Sequence, residues 1–496
     1  MNKFNDMICG VVVAALGLML SASAVAGSPA CDKRVNNTHN KLQECVTLDG
    51  VNEHRSAFQA IADANGGTRA TGTSGYDASV DYVAAQLDAA GYNVTIQQYL
   101  TYVFEQLGPS TLEQIAPGSV VYTEDVDYNL MSNTDPGDVT APVTAVDLDL
   151  GLGNSSTSGC EPADFAGFPP GNIALMQRGA CSFLLKAENA AAAGAVGAII
   201  FNQGNTVDRQ GLFNGTVSAE YSGGIPVLGA TYALGEDLND EIPGLTVRIV
   251  ADVSRGDVVA ANVIAESIGG DPRNVVIAGA HLDSPPGSPG INSNGSGAAA
   301  LLEVAEQMAK VKPRNKVRFA WWGSRFNATR GSDYYVADLT PDEIDDIALY
   351  LEFATIGSPN FVRFVYDGDG SEGGTAGAPG SEAIEALFSE FYAARGLASE
   401  PIPYRFSDDL AFYLAGIPTG GIYTGTFEIK SPDQVLLYGG AAGDQLDPCY
   451  VLACDTFDNV SFEVLEQSTA AVAYSVLQYA MSTKPVNGKE GKGNFK

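Results

Sequence analysis

The C-terminal half of the chain alternates short apolar runs with helical segments, and this alternation constrains the fold more than any other feature. The apolar runs predict strands at residues 275–280, 317–322, 348–353 and 420–423. Helices are predicted at residues 298–310 and 381–395. Such alternation predicts an α/β fold with a mixed, mostly parallel sheet flanked by helices on both faces. Because ligands bind beyond the carboxyl ends of such strands, the segments that follow each strand are the candidate site.

Residues 115–255 have a different sequence pattern from the C-terminal half, with short runs typical of β-strands and many Gly and Pro residues that predict turns. A strand at 172–176, an Ala-rich helix within 181–195 and a strand at 196–201 predict a small β-rich α+β domain inserted into the main one. The chain is therefore divided into a leader, a first part of the main domain, the insert, a second part of the main domain and a polar tail predicted to be disordered. In that order, the predicted bounds are 1–26, 27–114, 115–255, 256–483 and 484–496.

The first residues have the pattern of a cleaved signal peptide. Lys3 gives a positive start, residues 11–20 are apolar, and Ala24, Val25 and Ala26 form a small-residue cleavage site. No later segment reaches about 18 uninterrupted apolar residues, the length that a membrane-spanning helix needs. We therefore expect export, cleavage near Ala26, and a secreted or periplasmic mature protein.

The charge balance excludes some partners. The chain has 59 acidic and 27 basic residues and a formal net charge of −32. A surface with this excess of negative charge repels nucleic acid and anionic membranes, so neither is an expected partner.

The cysteines that follow the leader are even in number, which in an oxidising compartment predicts disulfides. Six cysteines permit 15 pairings, and pairing between neighbours in sequence is the simplest. This pattern predicts the bonds Cys31–Cys45, Cys160–Cys181 and Cys449–Cys454.

Distinctive segments follow the predicted strands. They are Gly279 to Ser284 (GAHLDS), Gly290 to Gly297 (GINSNGSG), Trp321 to Gly323 (WWG), Ile356 to Asn360 (IGSPN) and Ser407 to Asp409 (SDD). In this order they resemble the secreted dizinc aminopeptidases of metallopeptidase family 28, of the aminopeptidase Y and bacterial leucyl aminopeptidase type. The insert resembles the protease-associated domain that many of these enzymes carry. The resemblance covers nearly the whole mature chain and implies a zinc-exopeptidase fold.

The resemblance also implies a catalytic site at these strand ends. Two zinc ions, held by His and carboxylate ligands, would activate a water molecule, and a free Glu would move its proton. His281 matches the first ligand, and Asp283 matches the carboxylate that orients it. The remaining matched positions are changed: Ser293 replaces the bridging Asp, Arg325 the general-base Glu, Phe326 a ligand Glu, Ala354 a ligand Asp, and Asp409 the last His.

Arg325 is a cation where the resemblance places a carboxylate near two metals. We expect it to take the place of a zinc ion and to pair with Asp409 or with Glu352, which lies two residues before Ala354 and faces the same side of a strand. The alternative is that Arg325 points to solvent.

These replacements favour a non-catalytic protein on an aminopeptidase scaffold, without a metal cofactor, that binds peptides or protein N-termini. One alternative is an active hydrolase, with a single zinc on His281, Asp283 and Asp409 or with Ser293 and His281 as a nucleophile and its base. A further alternative is a structural or adhesive protein, which requires Phe326 and its neighbours to fill the pocket.

Overall fold

The computed structural model describes residues 31, 33–327 and 330–489. The predicted signal peptide and residues 490–496 of the predicted tail lie outside the described residues.

The strands are β1 (Asn93–Gln106), β2 (Thr111–Ala116), β3 (Val120–Val121), β4 (Tyr128–Leu130), β5 (Gly137–Ala145), β6 (Ile173–Gln177), β7 (Gly197–Phe201), β8 (Val227–Ala230), β9 (Thr246–Ala251), β10 (Val253–Glu266), β11 (Asp271–His281), β12 (Asn315–Trp322), β13 (Ile347–Phe353), β14 (Phe364–Tyr366), β15 (Glu400–Ile402) and β16 (Thr419–Tyr423). The helices are α1 (His39–Cys45), α2 (Leu48–Ala64), α3 (Ser74–Ala90), α4 (Phe183–Ala192), α5 (Tyr232–Asp240), α6 (Gly295–Met308), α7 (Gly331–Asp338), α8 (Pro341–Asp346), α9 (Ser381–Ala393), α10 (Asp409–Leu414), α11 (Pro432–Tyr438), α12 (Phe462–Met481) and α13 (Lys484–Asn487).

The main sheet is mixed, with a parallel centre. Its order is β1-β10-β12-β11-β13-β16-β14-β15. The four central strands β12, β11, β13 and β16 are parallel to one another. On one side β10 is antiparallel to β12 and β1 to β10, and on the other side β14 is antiparallel to β16 and parallel to β15. The parallel strands end at one edge, which brings together the segments singled out in the sequence.

Helices cover both faces of this sheet, as the alternation predicts. Successive side chains of a strand point to opposite faces. Val276 of β11 therefore lies in the core beneath α2, α3, α6, α9 and α12, while its neighbour Ile277 packs towards α7 and α10 with Tyr335 and Phe412.

Strands β2 to β9 form a second eight-stranded sheet, in the order β3-β2-β9-β5-β6-β7-β8-β4. The chain leaves the main sheet at the end of β1 and returns at the start of β10, which is paired with β1 along its whole length. Arg255 of β10 links the insert to this ribbon, since its guanidinium donates to Asn133 O at 2.6 Å and to Tyr221 O at 2.7 Å.

The structure changes two of the sequence predictions. The boundaries placed between 114 and 115 and between 255 and 256 fall inside β2 and β10, because strand pairing extends beyond the region rich in turns. The tail is not disordered at its start, since α13 is helical and Val486 is buried. The Asn487 side chain also donates to Asn274 Oδ1 at 2.8 Å, which holds this turn against the main domain.

The three predicted disulfides, Cys31–Cys45, Cys160–Cys181 and Cys449–Cys454, are confirmed. The third one joins cysteines separated by five positions and closes a short loop beside the carboxyl edge of the main sheet. Its position matters for the candidate site, because Tyr450 follows Cys449 directly.

Arg69, between α2 and α3, is fully buried and fixes the loop that follows β11. Its guanidinium donates to the carbonyl oxygens of Leu282 at 2.6 Å, Gly290 at 2.9 Å and Pro289 at 3.0 Å. It also lies 4.8 Å from the centre of the Phe58 ring, a cation–π contact. A single cation thereby satisfies three buried acceptors on both sides of a turn.

Replacing Arg69 with Met should destabilise the protein strongly. The loss of this cation leaves three buried carbonyl groups without donors, so we expect the free energy of unfolding to fall by about 3–5 kcal/mol. Urea denaturation followed by tryptophan fluorescence measures the change. The matched control is Arg273→Met, whose side chain is 76 % exposed; it should shift stability by about 0.5 kcal/mol or less. Equal midpoints for the two variants would contradict the role given to Arg69.

Candidate functional site

His281 is the last residue of β11 and is buried at the carboxyl edge of the main sheet. Its Nδ1 lies 3.0 Å from the backbone oxygen of Asp283 and 3.6 Å from Asp283 Oδ1. A carbonyl oxygen only accepts, so Nδ1 carries the hydrogen in this contact. The predicted partnership of His281 and Asp283 is therefore present, although the closer contact is to the main chain of Asp283.

The Asp283 carboxylate holds the segment after β12 in place. It accepts the backbone N–H of Arg325 at 3.0 and 3.2 Å. The preceding residue, Ser324, has a positive φ of 59° and donates its own N–H to Thr71 Oγ1 at 3.0 Å. These contacts fix the direction in which the Arg325 and Phe326 side chains leave the strand.

Phe326 packs its ring edge-on against His281, with the ring centres 5.6 Å apart. An aromatic side chain has no donor atom for a metal, and here it contacts the one ligand that the sequence retains. The guanidinium of Arg325 lies 5.8 Å from the centre of the same ring.

The Arg325 side chain points towards the strand ends and not to solvent. Its Nε donates to Ser407 Oγ at 2.9 Å. Burial lowers its pKa, but the nearby acidic groups, Asp408 first and then Tyr450, Glu352 and Asp283, together raise it above its usual value. No ion pair within 4.0 Å joins Arg325 to a carboxylate of the described residues. The expected direct pairs with Asp409 and Glu352 are therefore not formed, and the interaction is longer-ranged.

Ser293 is fully buried between β11 and α6, and its backbone N–H donates to Asp455 Oδ2 at 3.0 Å. Its hydroxyl oxygen is buried and has no hydrogen-bond partner among the described residues. No hydrogen bond therefore joins the Ser293 hydroxyl to His281, and the structure does not assemble a serine–histidine nucleophile from this pair.

Asn294, next to Ser293, connects this loop to the end of β13. Its side chain accepts the N–H of Thr355 at 2.7 Å and donates to Phe353 O at 2.8 Å. It also caps α6 by accepting the N–H of Gly297. Ala354 lies between Phe353 and Thr355, the two residues that Asn294 contacts, so its backbone is firmly held. Its side chain is a methyl group, which cannot bind a metal.

Three buried acids, Glu352, Asp408 and Asp409, lie behind the strand ends. Glu352 Oε2 accepts the hydroxyl of Tyr350 at 2.5 Å, whereas Oε1 has no hydrogen-bond partner. Burial raises the pKa of Glu352 well above its usual value, and Asp408 and Asp409 raise it further. Burial raises the pKa of Asp409 to about 7, with Asp408 adding to the effect. Protonation is the physical response to acids packed this closely.

A cavity of about 180 Å³ opens at this edge of the sheet. His281, Arg325 and Ala354 line it, while Asp409 and Glu352 do not. Residues outside the sequence-predicted set also line it, among them Tyr366, Arg405, Tyr423, Glu428 and Tyr450. The signal that could have indicated Tyr450 is its place inside the short Cys449–Cys454 loop.

The residues at this edge do not fit the two zinc ions that the resemblance implies. Ser293, Phe326 and Ala354 stand at three positions that the resemblance gives to ligands, and Asp409 does not line the cavity beside His281. Among the described residues, two groups bring three His, Cys, Asp or Glu donor atoms within 4.8 Å of one another, and neither contains His281.

Comparison with known proteins places the chain in a family. The model of peptidase family M28 matches residues 262–476, and that of the PA domain matches residues 139–238. An aminopeptidase of Pseudomonas aeruginosa (strain UCBPP-PA14) is 48% identical over 447 residues, which cover 90% of this chain and 83% of the relative. The chain belongs to peptidase family M28.

Solved structures show the same fold. The aminopeptidase from Aneurinibacillus sp. strain AM-1 superposes with a TM-score of 0.61 and 24% identity, covering 88% of this M28 chain and 96% of the other. The zinc aminopeptidase BSAP from Bacillus subtilis has a TM-score of 0.55 and 22% identity, covering 86% and 95%. The predicted mixed α/β fold with an inserted protease-associated domain is thus confirmed.

The two acidic groups of this M28 protein lie elsewhere. Asp367, Asp369 and Glu385 meet near the end of β14. His54 of α2 meets Glu303 and Glu306 of α6, and its Nδ1 lies 2.9 Å from the Tyr82 hydroxyl. His54 is buried, and burial lowers its pKa to about 4.

Replacing Asp409 with Asn should change how stability depends on pH. In the folded chain Asp409 stays protonated up to about pH 7, whereas its ordinary pKa is 3.8. Folding therefore becomes less favourable as the pH rises from about 4 to about 7, and Asn removes this loss. We expect the stability of Asp409→Asn relative to wild type to rise by on the order of 1–3 kcal/mol over that interval, measured by urea denaturation.

The matched control for this experiment is Asp81→Asn, on the exposed face of α3. Its stability relative to wild type should stay nearly constant over the same interval. A constant difference for Asp409→Asn as well would show that Asp409 ionises in the folded protein as it does in the unfolded chain.

Proposed function

We propose that this M28 protein is exported and non-catalytic, and that it uses the cavity at the carboxyl edge of the main sheet to bind peptides. The observation that carries the proposal is the end of β12, where Arg325 and Phe326 stand at the positions that the resemblance gives to the general base and a ligand. Phe326 packs against His281 and Arg325 lines the cavity, so both residues lie at the carboxyl edge where the resemblance places the reaction.

In this proposal, the carboxyl edge lacks both groups that peptide hydrolysis requires, a general base and a metal-activated water molecule. A guanidinium stays protonated at neutral pH and cannot take a proton from water. A water molecule is activated in the family through metal ions, and a zinc site needs at least three protein ligands. Of the matched ligand positions only His281 retains its family residue, and Asp409, which could ligate, does not line the cavity.

The single-zinc alternative on His281, Asp283 and Asp409 receives less support than the non-catalytic proposal. The Asp283 carboxylate is engaged by the Arg325 backbone N–H, and these three residues do not form a group of close donor atoms. The structural or adhesive alternative required a filled pocket. The cavity beside His281 is open, which favours a ligand-binding role.

Export is supported by the disulfides, because such bonds persist in oxidising compartments. Within the described residues, no helix combines the length and apolar character that crossing a membrane requires.

Metal content and turnover of the purified protein test the proposal. We expect less than about 0.1 zinc per chain by elemental analysis, even after incubation with zinc followed by desalting, because three ligand positions cannot coordinate. Hydrolysis of leucyl-p-nitroanilide should be at least about 10⁴-fold slower than by a zinc-loaded enzyme, since both the metal-activated water and the general base are missing.

The aminopeptidase of Pseudomonas aeruginosa, purified in the same way, is the positive control for both measurements. His281→Ala provides the matched variant, because it removes the one retained ligand. If the wild type held one zinc that His281→Ala lost, and if its turnover stopped with a chelator, the protein would be an active enzyme and the proposal would be wrong.

A further inference from the structure

The side chains that line the cavity carry more positive than negative charge, whereas a free amine is attracted by negative charge. Its ionisable side chains include two arginines, Arg325 and Arg405, against one carboxylate, Glu428. The acids Asp283, Glu352, Asp408 and Asp409 are buried and do not contribute to the lining. A peptide amino terminus is a cation, so this wall repels the end group that an aminopeptidase binds.

The single carboxylate of the wall is already engaged. Glu428 accepts from Arg405 Nη2 at 2.9 Å, from the Tyr423 hydroxyl at 2.9 Å and from the Thr426 N–H at 2.7 Å. A carboxylate with this many donors has little capacity left for a cationic ligand.

Arg325 has the opposite character. It is anchored through its Nε and through its backbone N–H, and no described carboxylate approaches its guanidinium within ion-pair distance. Its planar fork suits a carboxylate, which can accept two parallel hydrogen bonds. A preorganised cation in a partly closed cavity lowers the entropic cost of binding an anion.

The remaining wall suits a peptide end more than a bare inorganic ion. The hydroxyls of Tyr366 and Tyr450 add neutral donors, and Phe427, which is 58 % exposed, packs edge-on against Tyr450 at the rim. The cavity is smaller than the roughly 300–1,000 Å³ of sites that enclose drug-sized ligands. It therefore fits one terminal residue with an apolar side chain against the rim.

We infer that the cavity binds the C-terminal carboxylate of a peptide, with Arg325 as its principal partner and Arg405 at the entrance. This inference rests on the proposed non-catalytic role, and it replaces the expectation that the cavity binds protein N-termini.

Isothermal titration calorimetry with three matched peptides tests the inference on the wild-type protein. The probes are N-acetyl-alanyl-leucine as the free acid, the C-terminal amide of the same compound, and alanyl-leucinamide with a free amine. The free acid should bind about 10- to 100-fold more tightly than the amide, because only the acid forms charge-assisted hydrogen bonds with Arg325. The free amine should bind more weakly than either. Because only the ligand changes, this comparison does not depend on whether any variant folds.

Variants then locate the binding site. Arg325→Met should lose about 10-fold or more in affinity for the free acid and little for the amide, and Arg325→Lys should recover part of the loss. Arg273→Met, an exposed arginine of β11 outside the cavity, is the matched control and should bind as the wild type does. Far-ultraviolet circular dichroism checks that each variant is folded.

Several results would overturn the inference: equal affinity for acid and amide, tighter binding of the amine, or no binding of the acid at millimolar concentration. Displacement of the peptide by an equal concentration of inorganic phosphate or acetate would overturn the assignment to a peptide end. Each of these leaves the non-catalytic proposal standing if zinc and turnover are absent. Conversely, zinc-dependent turnover would refute the proposed function whichever peptide binds.

Discussion

The buried guanidinium of Arg69 is the interaction on which the carboxyl edge of the main sheet depends. It binds carbonyl oxygens on both sides of the turn between Leu282 and Gly290, and Phe58 of α2 covers it. The turn that follows His281 therefore cannot move independently of the helices packed beneath the sheet. Burial lowers the pKa of Arg69 to about 10, yet it remains protonated at neutral pH, so this support does not change with physiological pH. This edge of the M28 scaffold is thus held by contacts between protein groups.

Two features determine the electrostatics of the carboxyl edge: the residues at its surface and the acids buried behind them. At positions that the resemblance gives to carboxylates the chain has residues without one, and Arg325 is among them. Acids remain one layer deeper, where Glu352 and Asp409 are buried and their pKa values are raised. Acids that stay protonated need no counter-ion, so their burial is compatible with the absence of a nearby cation in direct contact. The result is a cavity whose lining carries more positive than negative charge, in a chain whose total charge is −32.

Membership of family M28 and hydrolytic activity are separate properties of this chain. The family is shown by an identity of 48% to a relative over 447 residues. Catalysis depends on a few side chains at strand ends, and those are the positions at which the chain departs from the family pattern. An identity of 48% therefore establishes the scaffold and leaves the chemistry to be decided at single residues such as Arg325 and Phe326.

The amino-acid sequence by itself determined the alternation of strands and helices, the inserted domain, the disulfides and the replacements at the strand ends, because each of these depends on local periodicity, on spacing or on a matched motif. It placed Asp409 beside His281 and paired Arg325 with an acid, and the structure changes both placements. It also missed Arg405 and Tyr450, which join the cavity from segments far from β11. Only the tertiary structure decided which side chains line the cavity and which lie behind it. The physical reason is that these contacts join distant segments and are fixed by how whole helices and strands pack.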